Sequence, residues 1–445
     1  MLISPTHRIP FVRQILTHES PDLDAIVSVW LLQQYGNDRL PGLATADIQF
    51  VTAGKLPDGK TAAQLEAEGI IAVDTGGGRF DTHPTNENDN LAKRNLSATD
   101  LVARFLDIET LHPYWKPFLE YVRQQDTKGH SLHSSDYLHH LCSIHTILAG
   151  IESIYPGESL TKMKEGMKVI ACIFAYLAQP NTVLPEQQNQ YLLEKVTHFL
   201  QDKPHIIANN HGYYNSFLTW LDRLRQNAPN AFSTLPNDDI VSLRSIVLGS
   251  AASNKDEAYP QHIANMCLHA LLLREEQWAS ALQDFEKNAV VRKINKIHVV
   301  TIASTNNLVI KAARFKTKGD LILYQNPETR ATTVLINRKG SLHRFSMQRL
   351  ATLIRIAEAT ETGETINHST LGKYGDSYGW FLHQSDNFII KGSNKAPDFI
   401  PTRIPLSDLS QILYHCLVPE DEEMPQAYQA AQWAFRLANL KKALQ

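Results

Sequence analysis

A regular alternation of short apolar runs and helix-like stretches near the N-terminus most constrains how this chain can fold. An apolar run over residues 11–17 leads through a polar turn into a helix pattern over 25–35. A strand pattern over 47–52, an acidic helix pattern over 61–68 and a fully apolar strand pattern over 69–73 follow. Strands that alternate with helices predict a parallel sheet covered on both faces, with ligands beyond the carboxyl ends of its strands.

The rest of the chain predicts further folded regions. Helical periodicity dominates from residue 97 to about residue 287, and strand-like runs follow at 297–303, 308–315, 321–325 and 332–336. A chain of 445 residues with 43% hydrophobic content is large enough for more than one core. The predicted fold class is α/β: an N-terminal parallel-sheet domain (1–130), a long helical middle (131–290) and a C-terminal α+β domain (291–445). Helix patterns over 347–360 and 426–444 are expected to pack on the C-terminal sheet.

Composition excludes several classes of protein. The longest apolar run, 170–178, is much shorter than the roughly 20 residues that span a bilayer, and the N-terminus lacks a signal-peptide pattern. The four cysteines form no C-x-x-C pair, which fits a reducing compartment and excludes a cysteine zinc site. The sequence therefore predicts a cytoplasmic protein without a membrane partner.

Charge is distributed unevenly along the chain. Residues 1–126 contain 17 Asp and Glu against 11 Lys and Arg, whereas 287–318 contains eight basic residues and no acidic one. This division suits a metal site in the first part and an anionic substrate bound by the second. The alternative is that the basic run is an ordinary solvated face.

Acidic and histidine residues cluster where the predicted strands and helices end. The clusters are His18, Asp22 and Asp24, then Asp74, then Asp81 and His83, and finally Asp126. Carboxylates at adjacent strand ends repel one another, and a cation is the simplest way to hold them together. Oxygen-rich sites with one or two imidazoles suit Mn²⁺ or Mg²⁺. Taken singly, Asp22 could instead cap a helix, Asp24 could favour a helix dipole, and Asp74 could begin a glycine-rich turn.

Together these motifs resemble the DHH phosphoesterase superfamily, and most of all the exonuclease family named for a melanocyte proliferation gene, formerly called metal-dependent protein hydrolases. The matching motifs are H-x-x-x-D-x-D at 18–24, V-D-x-G at Asp74, D-x-H at Asp81 and His83, and Asp126. The resemblance covers residues 11–130. A slighter similarity over 381–388 matches His383 to a late histidine-containing strand of that family and implies that it contacts substrate.

The resemblance implies a metal centre of one or two Mn²⁺ or Mg²⁺ ions. His18, Asp22 and Asp74 would ligate one ion. Asp24, Asp74 and Asp126 would ligate the second, so that Asp74 bridges the two ions and a water between them attacks a phosphorus atom.

The third motif has its own implied roles and one departure from the family. Asp81 would orient the motif, and His83 would contact the scissile phosphate or protonate the leaving oxygen. Thr82 stands where the family has a second histidine that ligates metal. Three outcomes are open: the second ion binds weakly, His83 takes the ligand role, or one metal suffices.

We therefore expect a divalent-metal-dependent phosphodiesterase, namely an exonuclease acting on single-stranded RNA or DNA. Arg79, beside the glycine turn 76–78, is expected to meet phosphate oxygens. If the predicted 308–315 strand continues to residue 318, Arg314, Lys316 and Lys318 lie on one face of it and would follow the nucleic-acid backbone. The alternatives are a hydrolase of pyrophosphate or of linear or cyclic dinucleotides, and a nucleotide-binding sensor without turnover.

Overall fold

The structure is a computed structural model of a mixed α/β protein. It describes residues 11–83, 93, 95–128, 143–179, 194, 243–254, 256, 258–294, 296–317, 319–337, 345–383, 386–393 and 398–417. The chain forms two compact units, Met1–Glu276 and Gln277–Gln445. Lys318 and the predicted helix over 426–444 lie outside the described residues.

The first unit is built around a three-stranded parallel sheet, as predicted. Its central strand is β1, Gln14–His18, which lies between β2, Asp47–Val51, and β3, Ile70–Ala72. A single parallel bridge between Val73 and Phe80 follows β3. Because all three strands run the same way, their carboxyl ends meet at one edge of the sheet.

Helices account for most of the remaining described residues of the first unit. They are α1 Leu23–Tyr35, α2 Ala62–Ala67, α3 Ala98–Leu106, α4 Ile108–Leu111, α5 Lys116–Lys128, α6 Ile144–Ile154, α7 Ser159–Ala178 and α8 Leu243–Ser253. Helix α9, Tyr259–Asn288, begins in the first unit and ends in the second. Helix α1 is buried from Leu23 to Leu32, which explains why its apolar residues cover most of its surface. No described helix is long and apolar enough to cross a membrane.

Two glycines allow helix backbones in the first unit to approach closely. A Cβ atom added at Gly249 of α8 would lie 1.8 Å from the carbonyl oxygen of Cys172 on α7. A Cβ atom at Gly150 of α6 would lie 2.1 Å from the carbonyl oxygen of Ala270 on α9. Any larger residue at these positions would force the helices apart.

The second unit contains a seven-stranded mixed sheet. Its strands are β4 Val290–Ile294, β5 Ile297–Ala303, β6 Leu321–Gln325, β7 Thr332–Ile336, β8 Gly375–Ser377, β9 Trp380–Leu382 and β10 Phe388–Lys391. The sheet order is β4-β5-β6-β7-β10-β9-β8. Strands β5 and β6 are parallel and the other neighbours are antiparallel. Strands β5, β6 and β7 have the predicted bounds.

The strand predicted over 308–315 is wrong, because this segment is helix α10, Val309–Lys316. Its buried residues, Val309, Ala312 and Ala313, have the i, i+3, i+4 spacing of a helix face, and alanine favours helix. The topology gives a second reason. Parallel neighbours such as β5 and β6 need a crossover between them, and α10 is part of that crossover.

This correction changes which basic side chains can act together. In a helix, residues two apart are separated by about 200° around the axis, so Arg314 and Lys316 point to different sides. The prediction that Arg314, Lys316 and Lys318 line one face of a strand is therefore wrong. Lys311 and Arg314 are three residues apart and lie on the same side of α10.

Helices α11, Met347–Thr362, and α12, Leu406–Leu417, complete the described elements of the second unit. Two buried charged residues of α11 organise its core. Arg355, which is fully buried, donates hydrogen bonds of 2.6–3.3 Å to the backbone carbonyls of Thr370, Leu371, Lys373, Gly375 and Trp380. Glu358 accepts hydrogen bonds from the side chains of Trp380, Thr402 and Lys391 at 2.5–3.2 Å.

Candidate metal centre

His18 is the last residue of β1 and is almost fully buried. Its Nδ1 lies 2.7 Å from the carbonyl oxygen of Glu19. A carbonyl oxygen only accepts, so Nδ1 carries a proton. Nε2 lies 3.1 Å from Asp74 Oδ2 and 3.9 Å from Asp22 Oδ1. Nε2 therefore faces two carboxylates, and in the neutral ring it has the lone pair that a metal ion needs.

Asp74 follows β3 in a left-handed backbone conformation, with φ of 53°. Aspartate tolerates this conformation better than most residues do, and the next two glycines, Gly76 and Gly77, also have positive φ. The Asp74 amide donates to the carbonyl oxygen of Phe80 at 2.8 Å, which fixes the turn. Its Oδ1 is buried and accepts no hydrogen bond from the part of the chain that the structure describes. A buried carboxylate oxygen without a donor is costly unless a cation is bound beside it.

Asp81 and His83 form a hydrogen-bonded pair beside Asp74. Asp81 Oδ1 accepts from the His83 amide at 2.9 Å and lies 2.8 Å from His83 Nδ1, while Asp81 Oδ2 accepts from the Gly77 amide at 2.6 Å. Burial opposes ionisation of Asp81, but the hydrogen bonds and charge of His83, together with the Gly77 amide, lower the pKa of the carboxyl overall. His83 Nδ1 also lies 3.6 Å from Asp74 Oδ1.

Asp74 is shared by two groups of residues whose ligand atoms converge. In each group the ligand atoms lie within 4.8 Å of one another. One group is His18, Asp22 and Asp74, and the other is Asp74, Asp81 and His83. The described residues thus bring together five of the seven residues singled out from the N-terminal motifs.

The donor set fits a divalent cation. With a neutral His18 ring, the Nε2 lone pair and the Asp74 carboxylate face each other as two acceptors at 3.1 Å, an arrangement that either a proton on Nε2 or a bound cation satisfies. A cation would also compensate Asp74 Oδ1, which accepts no hydrogen bond from the described residues. Carboxylate oxygens with an imidazole match Mn²⁺ or Mg²⁺ by ligand type.

Asp24 is buried in the first turn of α1 and faces the start of α3. Its carboxylate oxygens accept from the amides of Ala98 and Thr99 at 2.7 and 2.8 Å. Burial raises the pKa of Asp24, and the charges of Asp74, Asp126 and Asp22 raise it further. Asp24 therefore belongs to neither converging group, although the charges of Asp74 and Asp22 act on it. Its role as a metal ligand stays a prediction.

Two other predicted site residues of the first unit belong to neither converging group. Asp126 is exposed on α5 and is linked to the site by its charge effect on Asp24. Arg79 forms an ion pair with Glu66, and its Nε donates to Glu66 at 3.0 Å. The carboxylate of Glu66 thus holds the guanidinium that was expected to meet phosphate oxygens.

The remaining predicted substrate residues belong to the second unit. Arg314 and Lys316 are exposed on α10, and Lys316 forms an ion pair with Glu286 at 3.1 Å. His383 follows β9, and its ring stacks on Phe388 with the ring centroids 4.4 Å apart.

Sequence reasoning missed Lys93, which contacts the third motif. Its Nζ donates to the carbonyl oxygen of Asp81 at 3.0 Å and lies 3.4 Å from that of Gly78. The ammonium therefore supports the turn that carries Asp81 and His83. A single lysine in a polar stretch has no distinguishing signal in the sequence.

We expect Asp24 to make the metal-free protein less stable as pH rises from about 4. The pKa of Asp24 in the folded state is raised above its ordinary value of 3.8. At pH values between 3.8 and the folded-state pKa, the folded state therefore binds more protons than the unfolded state does. The free energy of unfolding then falls as pH rises through that window. Saturating Mn²⁺ should offset the loss, by about 2.7 kcal/mol at 100 times the Kd.

Thermal unfolding at pH 5 and pH 7.5, with EDTA and with Mn²⁺, measures this effect. The increase in Tm caused by Mn²⁺ should be larger at pH 7.5. An equal increase at both pH values would argue against a carboxylate-rich metal site.

Comparison with known proteins adds no family assignment. No protein-family model matches the sequence, and a search of curated proteins gives no match. The resemblance to the DHH superfamily therefore depends on the motif residues alone and stays a prediction.

Proposed function

We propose that the protein is a divalent-metal-dependent phosphoester hydrolase. The observation that carries this proposal is the position of Asp74, which belongs to both converging groups and has a buried oxygen that receives no hydrogen bond from the described residues. A shared carboxylate of this kind suits a bridging ligand between two ions. Bound ions would lower the pKa of a water and polarise phosphoryl oxygens.

The residues of the first group would hold the ion in a fixed orientation. The Glu19 carbonyl fixes the His18 ring so that Nε2 faces Asp74 and Asp22. Asp22 also caps α1, because its Oδ1 accepts from the Ala25 amide at 3.2 Å. Capping and ligation therefore act together to order this loop.

His83 is suited to contact substrate because its side chain is 57% exposed while its anchor, Asp81, is buried. Asp81 accepts at Nδ1, so proton transfer to a leaving oxygen would use Nε2. Because His83 also belongs to the second group, the alternative is that His83 takes the ligand role at the second metal site, and in that case it would not also protonate the leaving oxygen.

For the substrate, we propose single-stranded RNA or DNA. Lys311 and Arg314 are both exposed on one side of α10 and would meet successive phosphates. Replacing both by alanine should weaken binding of a long single strand and reduce its log–log salt slope by roughly 0.7 per lost contact. Cleavage of a dinucleotide should not change.

Fluorescence-anisotropy titrations over a salt series test this substrate assignment, with cleavage assays on both substrates. Lys316→Ala, which removes a lysine already paired with Glu286, is the matched control. If the variant with Lys311 and Arg314 both replaced has an unchanged salt slope, the result would contradict a nucleic-acid-binding surface on α10.

The pairing of Lys316 also favours a second candidate, a hydrolase of pyrophosphate or of linear or cyclic dinucleotides. An ion pair with Glu286 removes one cation from the basic segment that a long strand would follow. A small substrate needs only the metal centre and a few contacts nearby. Metal-dependent nucleotide binding without any product would identify a sensor instead.

The deciding experiment is incubation with labelled single-stranded RNA, single-stranded DNA and small dinucleotides, in Mn²⁺ and in EDTA. We expect mononucleotide products in Mn²⁺ and none in EDTA. Cleavage that continues in EDTA, or no cleavage of any phosphoester in Mn²⁺, would contradict the proposed hydrolase.

A further inference from the structure

The loop between β1 and α1 joins two residues of the candidate metal centre, since His18 ends β1 and Asp22 caps α1. It is held from outside by residues of α6 and α7. Ser20 donates from Oγ to the Glu152 carboxylate, and Lys162 Nζ donates to Glu152 at 3.0 Å and to Ser20 Oγ at 3.3 Å. The contacts of Ser20 with Glu152 and Lys162 join positions more than 130 residues apart in the chain.

A second pair of contacts holds the same loop through Ser159, the first residue of α7. The Ser20 amide donates to Ser159 Oγ at 3.2 Å, and Ser159 Oγ donates to the Glu19 carboxylate. The backbone and a side chain of the loop are thus both tied to the start of α7.

The backbone of the loop needs such support. Ser20 has φ of 52°, in the left-handed region that ordinary side chains rarely adopt. Conformations of this kind persist only where surrounding contacts determine them. Lys162 is 4% exposed, so its ammonium is a rigid contact rather than a mobile surface charge.

The same loop contains the residue that hydrogen-bonds to the ring of His18, a proposed metal ligand. Glu19 lies between His18 and Ser20, and its carbonyl oxygen accepts from His18 Nδ1. Contacts that fix Glu19 and Ser20 therefore fix the direction in which His18 Nε2 points. Outer partners of ligating histidines typically affect metal affinity by about 10- to 100-fold.

We propose that Ser20, Glu152, Ser159 and Lys162 form a loop clamp whose function is to position His18 for metal binding. They are positioning residues and do not touch the ion. The inference rests on the proposed metal centre, and its test separates the two.

Ser20→Gly is the sharpest test, because it removes the hydroxyl while glycine adopts positive φ without strain. A purely structural contact would give a stability change without a change in metal affinity. The loop clamp predicts that Ser20→Gly stays folded, with a Tm in EDTA near that of the natural protein, but binds Mn²⁺ with a Kd raised about 10-fold or more.

Ser159 gives an independent test of the same loop clamp. Ser159→Ala should raise the Mn²⁺ Kd, whereas Ser159→Thr keeps the hydroxyl and should restore it. The matched control is Lys168→Met, which breaks another ion pair of α7, to Glu165 at 2.7 Å. This control should leave the Kd unchanged.

Isothermal titration with Mn²⁺ measures all four variants and the natural protein. Raised Kd values in Ser20→Gly and Ser159→Ala alone support the loop clamp. Unchanged Kd values in these two variants, beside normal binding by the natural protein, overturn the loop clamp and leave the metal centre standing. Absence of Mn²⁺ binding by the natural protein overturns the metal centre itself.

Discussion

Replacing Asp74 by alanine is expected to abolish metal-dependent hydrolysis, with a loss on the order of 10³-fold or more. Asp74 contributes to both converging groups, so one substitution removes a ligand from each proposed metal position. The fold should persist, because removing a buried carboxylate, one oxygen of which receives no hydrogen bond from the described residues, also removes a desolvation cost. Turnover of a phosphodiester in Mn²⁺ measures the effect, with circular dichroism to establish folding.

A second aspartate with positive φ provides a matched control for the backbone strain at Asp74. Asp58 also has a left-handed backbone, with φ of 56°, but its side chain is 79% exposed. Asp58→Ala should therefore reproduce the strain of alanine at positive φ without loss of turnover. Asp74→Asn keeps the side-chain shape and removes the charge, and it should also be inactive. A folded Asp74→Ala protein that turns over substrate at the natural rate would exclude Asp74 as a bridging ligand.

The second large effect is expected at Arg355 in the second unit. Its guanidinium donates to backbone carbonyls from Thr370 to Trp380, and those of the buried residues Leu371 and Trp380 would lose this donor. Burial lowers the pKa of Arg355 to about 10, with Asp376 opposing that shift, so the group is charged at neutral pH. Arg355→Met should destabilise the second unit by about 3–5 kcal/mol, because it breaks a buried charged network.

Arg355→Lys tests the role of the planar guanidinium. Lysine keeps the charge but lacks the fork of donors, so it should also destabilise the unit. Arg349→Met, at an exposed position of the same helix, is the control and should change stability by no more than about 0.5 kcal/mol. Hydrogen exchange in peptides that span 370–382 reports the local opening. Equal protection in Arg355→Met and the natural protein would contradict this structural role.

The sequence predicted the parts of the structure that local pattern determines. Each element of the β1–α1–β2–α2–β3 alternation has an apolar pattern typical of its type, and its observed bounds differ from the predicted ones by only a few residues. Convergence of His18 and Asp74 also followed from pattern, because parallel strands bring their carboxyl ends to one edge.

Prediction failed where tertiary partners decide the outcome. The segment now known as α10 contains β-branched residues that fit a strand, but its apolar spacing and the parallel pairing of β5 and β6 require a helix. Strand β4 was missed because its residues are largely exposed at the edge of the sheet. The contacts of Ser20 with Glu152 and Lys162 join distant positions, and no local pattern marks them.

Direct observation of the ion is the most decisive measurement. Crystals soaked in Mn²⁺ should give an anomalous-scattering peak bonded to His18 Nε2 and to carboxylate oxygens of Asp22 and Asp74. A second peak that shares Asp74 would identify the two-ion arrangement. The contradicting result is a crystal in saturating Mn²⁺ that shows no anomalous peak at this cluster and keeps His18 Nε2 and Asp74 within hydrogen-bond distance. That result would exclude a metal centre at this edge of the sheet.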